Sequence, residues 1–149
     1  MMPIHVEVVT QERRVFEEPE ADFILIPGSE GEMGVLPHHA PVLTTLGFGE
    51  LVIRKGGAEE SFAIYGGVVD IRPDKVVVLA DLAESSYGMD LEAIEAARER
   101  ASQMMAEGVP EGENRAAVLA LRRAELALRI KNRMQSRGPL IRIIDEDGD

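Results

Sequence analysis

Two features of the sequence carry residue types that could do chemistry. Gly28-Ser29-Glu30-Gly31-Glu32-Met33-Gly34 has the glycine density of a phosphate-cradling loop. Such a loop ends in Gly-Lys-Ser/Thr, so that an ammonium meets the phosphate, and here Met33-Gly34-Val35 stands in that place. Glu30 and Glu32 would repel an anion, so the segment reads as a tight loop whose glycines allow positive φ. His38-His39, close to the same glutamates, raises the question of a metal. Adjacent residues of an extended chain point to opposite faces, and the third histidine, His5, is distant in sequence; no metal is expected. Cys is absent, which excludes disulfides, thiolate metal sites and a cysteine nucleophile. No Gly-x-Ser-x-Gly turn occurs, and Ser29, Ser61, Ser85 and Ser86 lack a context that would activate them. No acid pair stands out for general acid–base work. These residues suit an interaction module, not an enzyme.

The elements that position them divide the chain in two. Up to about residue 85, runs rich in Val, Ile and Phe recur at Ile4–Val9, Phe23–Ile26, Leu51–Arg54, Ser61–Tyr65, Val68–Ile71 and Val76–Ala80. Pro27-Gly28, Gly47-Phe48-Gly49, Gly56-Gly57, Gly66-Gly67 and Pro73-Asp74 read as the turns between them. Ile4, Val6 and Val8 alternate with His5 and Glu7, which predicts one wet face; in Ser61-Phe62-Ala63-Ile64 the alternation is blurred. Roughly eight to ten short strands at such spacing predict a sandwich or barrel. Only 4% of residues are aromatic and none is Trp, so the core must be aliphatic.

After Gly88 the period becomes helical. Asp90 can cap a helix over Leu91–Glu107, with Glu92 and Glu95 in its first turns; Gly108, Pro110 and Gly112 stop it. Asn114 can cap a second helix over Arg115–Gln135, and the short connector makes the two antiparallel neighbours. Ala93, Ala96, Ala97 and Ala101 are expected to face Ala116, Ala117, Ala120, Ala124 and Ala127. At about 25 cal/mol per Å² such a seam gains little, so the hairpin must dock on something.

The formal charge of −11 argues against non-specific nucleic-acid binding. It is unevenly spread: −9 over residues 1–88, −4 over 89–112, +5 over 113–137 and −3 over 138–149. The basic patch of Arg122, Arg123, Arg129, Lys131, Arg133 and Arg137 is either a solvated face paired with the acidic first helix or a docking surface for an acidic partner. The tail, 138–149, is apolar and then acidic; it adds an edge strand or frays. No apolar run is long enough to cross a membrane and no secretion signal opens the chain, so a soluble cytoplasmic protein is expected.

The stretch Gly28 to Thr44, with Met33-Gly34-Val35-Leu36-Pro37-His38-His39-Ala40-Pro41 at its centre, resembles the signature of the ε subunit of bacterial F-type ATP synthase. Tyr65-Gly66-Gly67-Val68-Val69-Asp70-Ile71, then Val76–Asp81, is similar to the last strands of that family's sandwich, and Arg123-Ala124-Glu125-Leu126-Ala127-Leu128 to its second C-terminal helix. The resemblance implies a β-sandwich of about ten strands over 1–88, a regulatory two-helix hairpin over 89–137, and a tail, 138–149, beyond the family's usual end. It implies a non-catalytic rotor subunit of a proton-translocating ATP synthase, peripheral at the cytoplasmic face of the cell membrane. Its implied partners are γ, the c ring and the α/β catalytic hexamer, with a c-ring-facing loop at Glu30, Glu32, His38 and His39. Arg122, Arg123, Arg129 and Arg133 would meet acidic segments of the β subunit when the hairpin extends and inhibits ATP hydrolysis. Some members hold regulatory ATP through Ile/Leu-Asp-x-x-Arg-Ala. Here, in the registers starting at Met89 or Leu91, Ala93 or Glu95 replaces the arginine, which implies weak or absent ATP binding and no cofactor. The alternative of another class is a stand-alone β-sandwich that binds a ligand.

Overall fold

The computed structural model describes residues 3–108, 111–135 and 141, with only the backbone at 111–113. Eight strands come first: β1 (Ile4–Val9), β2 (Arg14–Ala21), β3 (Phe23–Gly28), β4 (Gly31–Val35), β5 (Val42–Lys55), β6 (Ala58–Ile71), β7 (Lys75–Ala80) and β8 (Ala83–Ser85). A 3-10 turn (Ser86–Gly88) leads into the helices α1 (Leu91–Ala106) and α2 (Glu111–Gln135). Hydrogen bonding runs β2-β1-β7-β6-β5-β3-β4, with β8 also on β6; β1 and β7 are parallel and the other pairs antiparallel.

The eight strands stand at the lower end of the eight to ten read from the sequence, and below the ten that the resemblance implies, for a definite reason. Gly47-Phe48-Gly49 and Gly66-Gly67, read as turns, lie inside the two long strands, with Gly47 opposite Gly66 in their register. Gly66 and Gly67 have φ of 83° and 130°. A Cβ at Gly67 would stand 2.2 Å from the Leu79 carbonyl oxygen, so only glycine lets the strand pass there. One half of β5 and β6 pairs beside β7, β1 and β2; the other half pairs beside β3, β4 and β8. Each long strand thus serves both layers of the sandwich.

Between the layers lies an aliphatic core that includes Ile4, Val6, Val8, Ile24, Ile26, Leu51, Ile53, Phe62, Ile64, Val69, Ile71, Val76 and Val78. The predicted wet face of β1 is present, since buried and part-exposed residues alternate along it. From Ala58 to Tyr65 every residue of β6 is buried. Phe62 and Ile64 face the core, while Ala63 and Tyr65 belong to a second cluster under the helices. That double coverage is why Ser61-Phe62-Ala63-Ile64 has no clean period.

Helix α1 begins where predicted: the Asp90 carboxylate accepts the amides of Glu92 (3.0 Å) and Ala93 (3.4 Å). Helix α2 begins earlier, at Glu111, so Gly112 and Asn114 lie within it and Asn114 is not its cap. Burial along the alanine seam is uneven. Ala101, Ala117, Ala124 and Ala127 are buried, whereas Ala93, Ala96, Ala116 and Ala120 are exposed. The tail lies outside the described residues apart from Ile141, which is helical and fully buried in the sandwich core.

Candidate functional site

Arg123, Leu126, Ala127, Ile130, Arg133 and Met134 recur at three- and four-residue steps and form one face of α2. The face they meet is the outer side of β6, where Glu59, Ser61, Ala63 and Tyr65 alternate outward, with Glu50 on β5 alongside. The apolar part of this contact is small: Ala63, Tyr65, Met89, Leu126, Ala127 and Ile130, with Ile94 and Met134 at its margin. It is a cluster separate from the core. Leu126 and Ile130 are its two large buried aliphatic side chains, worth about 1.5–3 kcal/mol each.

Polar contacts frame that cluster. The Arg133 guanidinium donates from Nε to both Glu50 oxygens (3.1 and 2.9 Å), from Nη2 to Glu50, and from Nη1 to Glu59 Oε2 at 3.0 Å. Ser61 donates its hydroxyl to the same Glu50 carboxylate, and Arg54 Nε reaches Glu59 Oε1 at 3.3 Å. Burial pulls the Arg133 guanidinium down, but the hydrogen bonds and charges of Glu50 and then Glu59 outweigh it and hold it above its ordinary value. Fork-to-carboxylate geometry of this kind is a strong form of ion pair.

At the other end of the interface sits Tyr65. Its ring meets Phe48 edge-on at 5.4 Å, and the Arg123 guanidinium lies 4.9 Å above its centroid. Its hydroxyl donates to the Arg123 carbonyl at 3.4 Å. Burial, reinforced by Glu84 and opposed by Arg123, pushes the phenol up to about 12. Arg123 also pairs with Glu84 at 3.4 Å, Arg122 stacks over Phe48 at 5.3 Å, and Lys131 Nζ donates to the Ser86 carbonyl at 3.2 Å. Arg129 is exposed. The basic helix therefore spends its charge on the sandwich, where the sequence reading had weighed the first helix or a separate partner. Glu50, Glu59, Phe48, Tyr65 and Glu84 were missed, because they are distant in sequence and only strand pairing brings them under α2.

Between α1, α2 and the sandwich remains a cleft of about 410 Å³, lined by Met89, Ile94, Ala97, Ala120 and Ala124 among others. Its charged lining is one cation, Arg123, and two carboxylates, Glu84 and Asp90; Ala93 also lines it.

The glycine-rich loop occupies the opposite kind of surface. Ser29 and Glu30 form the β3–β4 turn, fixed by the Ser29 amide on the Thr45 carbonyl (3.0 Å) and by their hydroxyls, 2.6 Å apart. His38, at φ 69°, donates its amide to the Pro73 carbonyl at 2.8 Å. Glu30, Glu32 and His38 are exposed and His39 half-buried. None of them belongs to a group able to share an ion: among the described residues that group is His5, Glu7 and Glu17, already faced by Arg14 and Lys75.

Residues 3–86 match the family model described as ATP synthase, Delta/Epsilon chain, beta-sandwich domain. The chain is 44% identical over 131 residues to the ATP synthase epsilon chain of Dehalococcoides mccartyi, covering 87% of this chain and 93% of that one. To the epsilon chain of Herpetosiphon aurantiacus it is 40% identical over 136 residues, covering 91% and 99%. Among solved structures, a chain of the Euglena gracilis mitochondrial ATP synthase shares the fold, with a TM-score of 0.66 at 23% identity over 91% of this chain and 81% of that one.

Proposed function

The chain belongs to the ATP synthase delta/epsilon family, as an epsilon chain without catalytic activity of its own, and from that premise we propose that it is both a rotor part and a brake. It sits in the central stalk of a proton-translocating F-type enzyme, peripheral at the cytoplasmic face of the cell membrane. No helix among the described residues is long and apolar enough to cross a membrane, which suits a subunit attached through its partners. The loop of Glu30, Glu32, His38 and His39 faces the polar loops of the c ring. Its turn is fixed to β5 and β6–β7 by backbone bonds, so force applied at the tip reaches the sheet without slack.

The outer face of β5, β6 and β7 packs on γ. Leu43, Val68 and Leu79 are exposed there, and Val68 sits between Thr45 and Leu79 in the register. The sandwich over 1–88 is the rotor part, and the hairpin over 89–137 is regulatory.

The observation that carries the braking role is the kind of contact holding α2. It is a cluster of six buried residues framed by arginine pairs, separate from the core, so the two arrangements of the hairpin differ by a few kcal/mol. When the hairpin extends towards the catalytic α/β hexamer, Arg122, Arg123 and Arg133 leave the sandwich and, with Arg129, meet acidic segments of β. The cleft does not suit regulatory ATP: one already paired cation faces two carboxylates, a poor cradle for a triphosphate.

ATP hydrolysis by the reconstituted complex, with and without residues 89–149, tests this reading. Deletion raises hydrolysis, and Arg129→Ala, exposed in the docked state, raises it in part without loosening the docked contacts. Unchanged hydrolysis in the deletion contradicts the braking role.

A further inference from the structure

Ile141 lies six residues beyond the end of α2 and is 0% exposed. It belongs to the same apolar cluster as Phe62, Ile64 and Val78, the interior of the sandwich, and not to the cluster beneath the hairpin. Ile141 therefore sits in the sandwich, whereas α2, which ends six residues before it, packs on the outer face. Six residues span at most about 20 Å when fully extended, whereas α2, with 25 residues, is about 37 Å long. An extension of the hairpin that carries the C-terminal end of α2 more than about 20 Å from its docked position must draw Ile141 from the core.

We propose that Ile141 is an anchor that holds the hairpin in its docked position, so that release of the helices requires withdrawal of this side chain from between the layers. The inference rests on the braking role above and adds a third holding point to the apolar cluster and the arginine pairs. The Arg133 pairs and the buried Ile130 lie in the last turns of α2, the end to which the anchor is joined. The α2 interface can slide or rotate without exposing the core, but Ile141 cannot leave without opening a cavity in it.

The absence of cysteine makes a direct test available, since a single introduced thiol has no competitor. Ala127→Cys places a thiol in the buried docking face, and Val78→Cys places one in the core. Labelling rates of both are measured in the full chain, in Ile141→Ala, and in a chain lacking residues 139–149. Removing the anchor accelerates labelling at both positions, since the cavity also weakens the core, but at position 127 by about tenfold more than at position 78. Ile141→Val accelerates labelling less than Ile141→Ala at both positions.

Two results overturn the proposal: no acceleration at position 127, or equal acceleration at both positions, which makes Ile141 ordinary core filling. The braking role fails separately, when deletion of residues 89–149 leaves ATP hydrolysis by the complex unchanged. Labelling of the free chain is independent of that outcome.

Discussion

The two apolar clusters of this molecule share one strand, β6, and differ in what lies across from each face. On the inner face Phe62 and Ile64 join aliphatic side chains from both layers, with Glu60 buried on the same strand. On the outer face Ala63 and Tyr65 meet Leu126, Ala127 and Ile130, ringed by carboxylates and guanidinium groups. The inner contact lies between two hydrogen-bonded layers. The outer contact is one helix laid on a sheet, a small apolar cluster framed by charged groups that water can solvate once apart. The comparison shows that one strand can be buried on both faces by contacts of different kind, which is what the proposed release of the helices requires.

Breaking the inner side has the largest effect. Phe62→Ala removes a fully buried ring that also packs on Phe16, with centroids 5.3 Å apart. A loss of about 3–5 kcal/mol is expected, seen as a lower denaturant midpoint for strands and helices together. Breaking the outer side gives a smaller and local change. Ile130→Ala weakens docking by about 2–3 kcal/mol, read as faster amide exchange in α2, while the unfolding midpoint of the strands hardly moves. A shift of the strands as large as that of α2 would merge the two clusters into one.

Arg133→Ala comes next. About a quarter of the side chain is exposed, and its loss leaves Glu50 and Glu59 facing each other without this cation. Docking weakens by about 2 kcal/mol, and Arg133→Lys, which lacks the fork, recovers less than half of it. The smallest effect is with pH. The Tyr65 phenol is held above its ordinary value in the docked state, so its contribution is complete below about pH 10 and lost as pH rises to about 12. Following phenolate absorbance and helix docking together over that range checks the sign. Tyr65→Phe removes the dependence.

The inner region was the more legible in sequence, and the reason is physical. Alternation of Ile4, Val6 and Val8 reports a local geometry, and Asp90 before a helix reports a local hydrogen bond; both are present in the structure. Gly66-Gly67 misled because positive φ serves a turn and a bent strand alike, and the choice depends on Leu79, which lies across the sheet. Asn114 has a capping side chain, but three more residues before it are already helical. The arginines of α2 were visible as a patch, while their acceptors were not: Glu50, Glu59 and Glu84 come from three strands and look like ordinary surface acids in a chain with 27 of them. Ile141 offered only an apolar tail. Where a side chain lands six residues after a helix depends on the open space it finds, and no local pattern encodes that.

Native-state amide exchange on the intact chain tests the central claim most directly, with Ala127 and Ile130 in α2 compared against Val69 and Val78 in the strands. The account predicts that the helix amides exchange through an opening about 3 kcal/mol cheaper than the one that exposes the strands, with the strands still protected. Equal opening free energies at all four positions would mean that the helices and the sandwich come apart only by unfolding together, and the releasable arm would not exist.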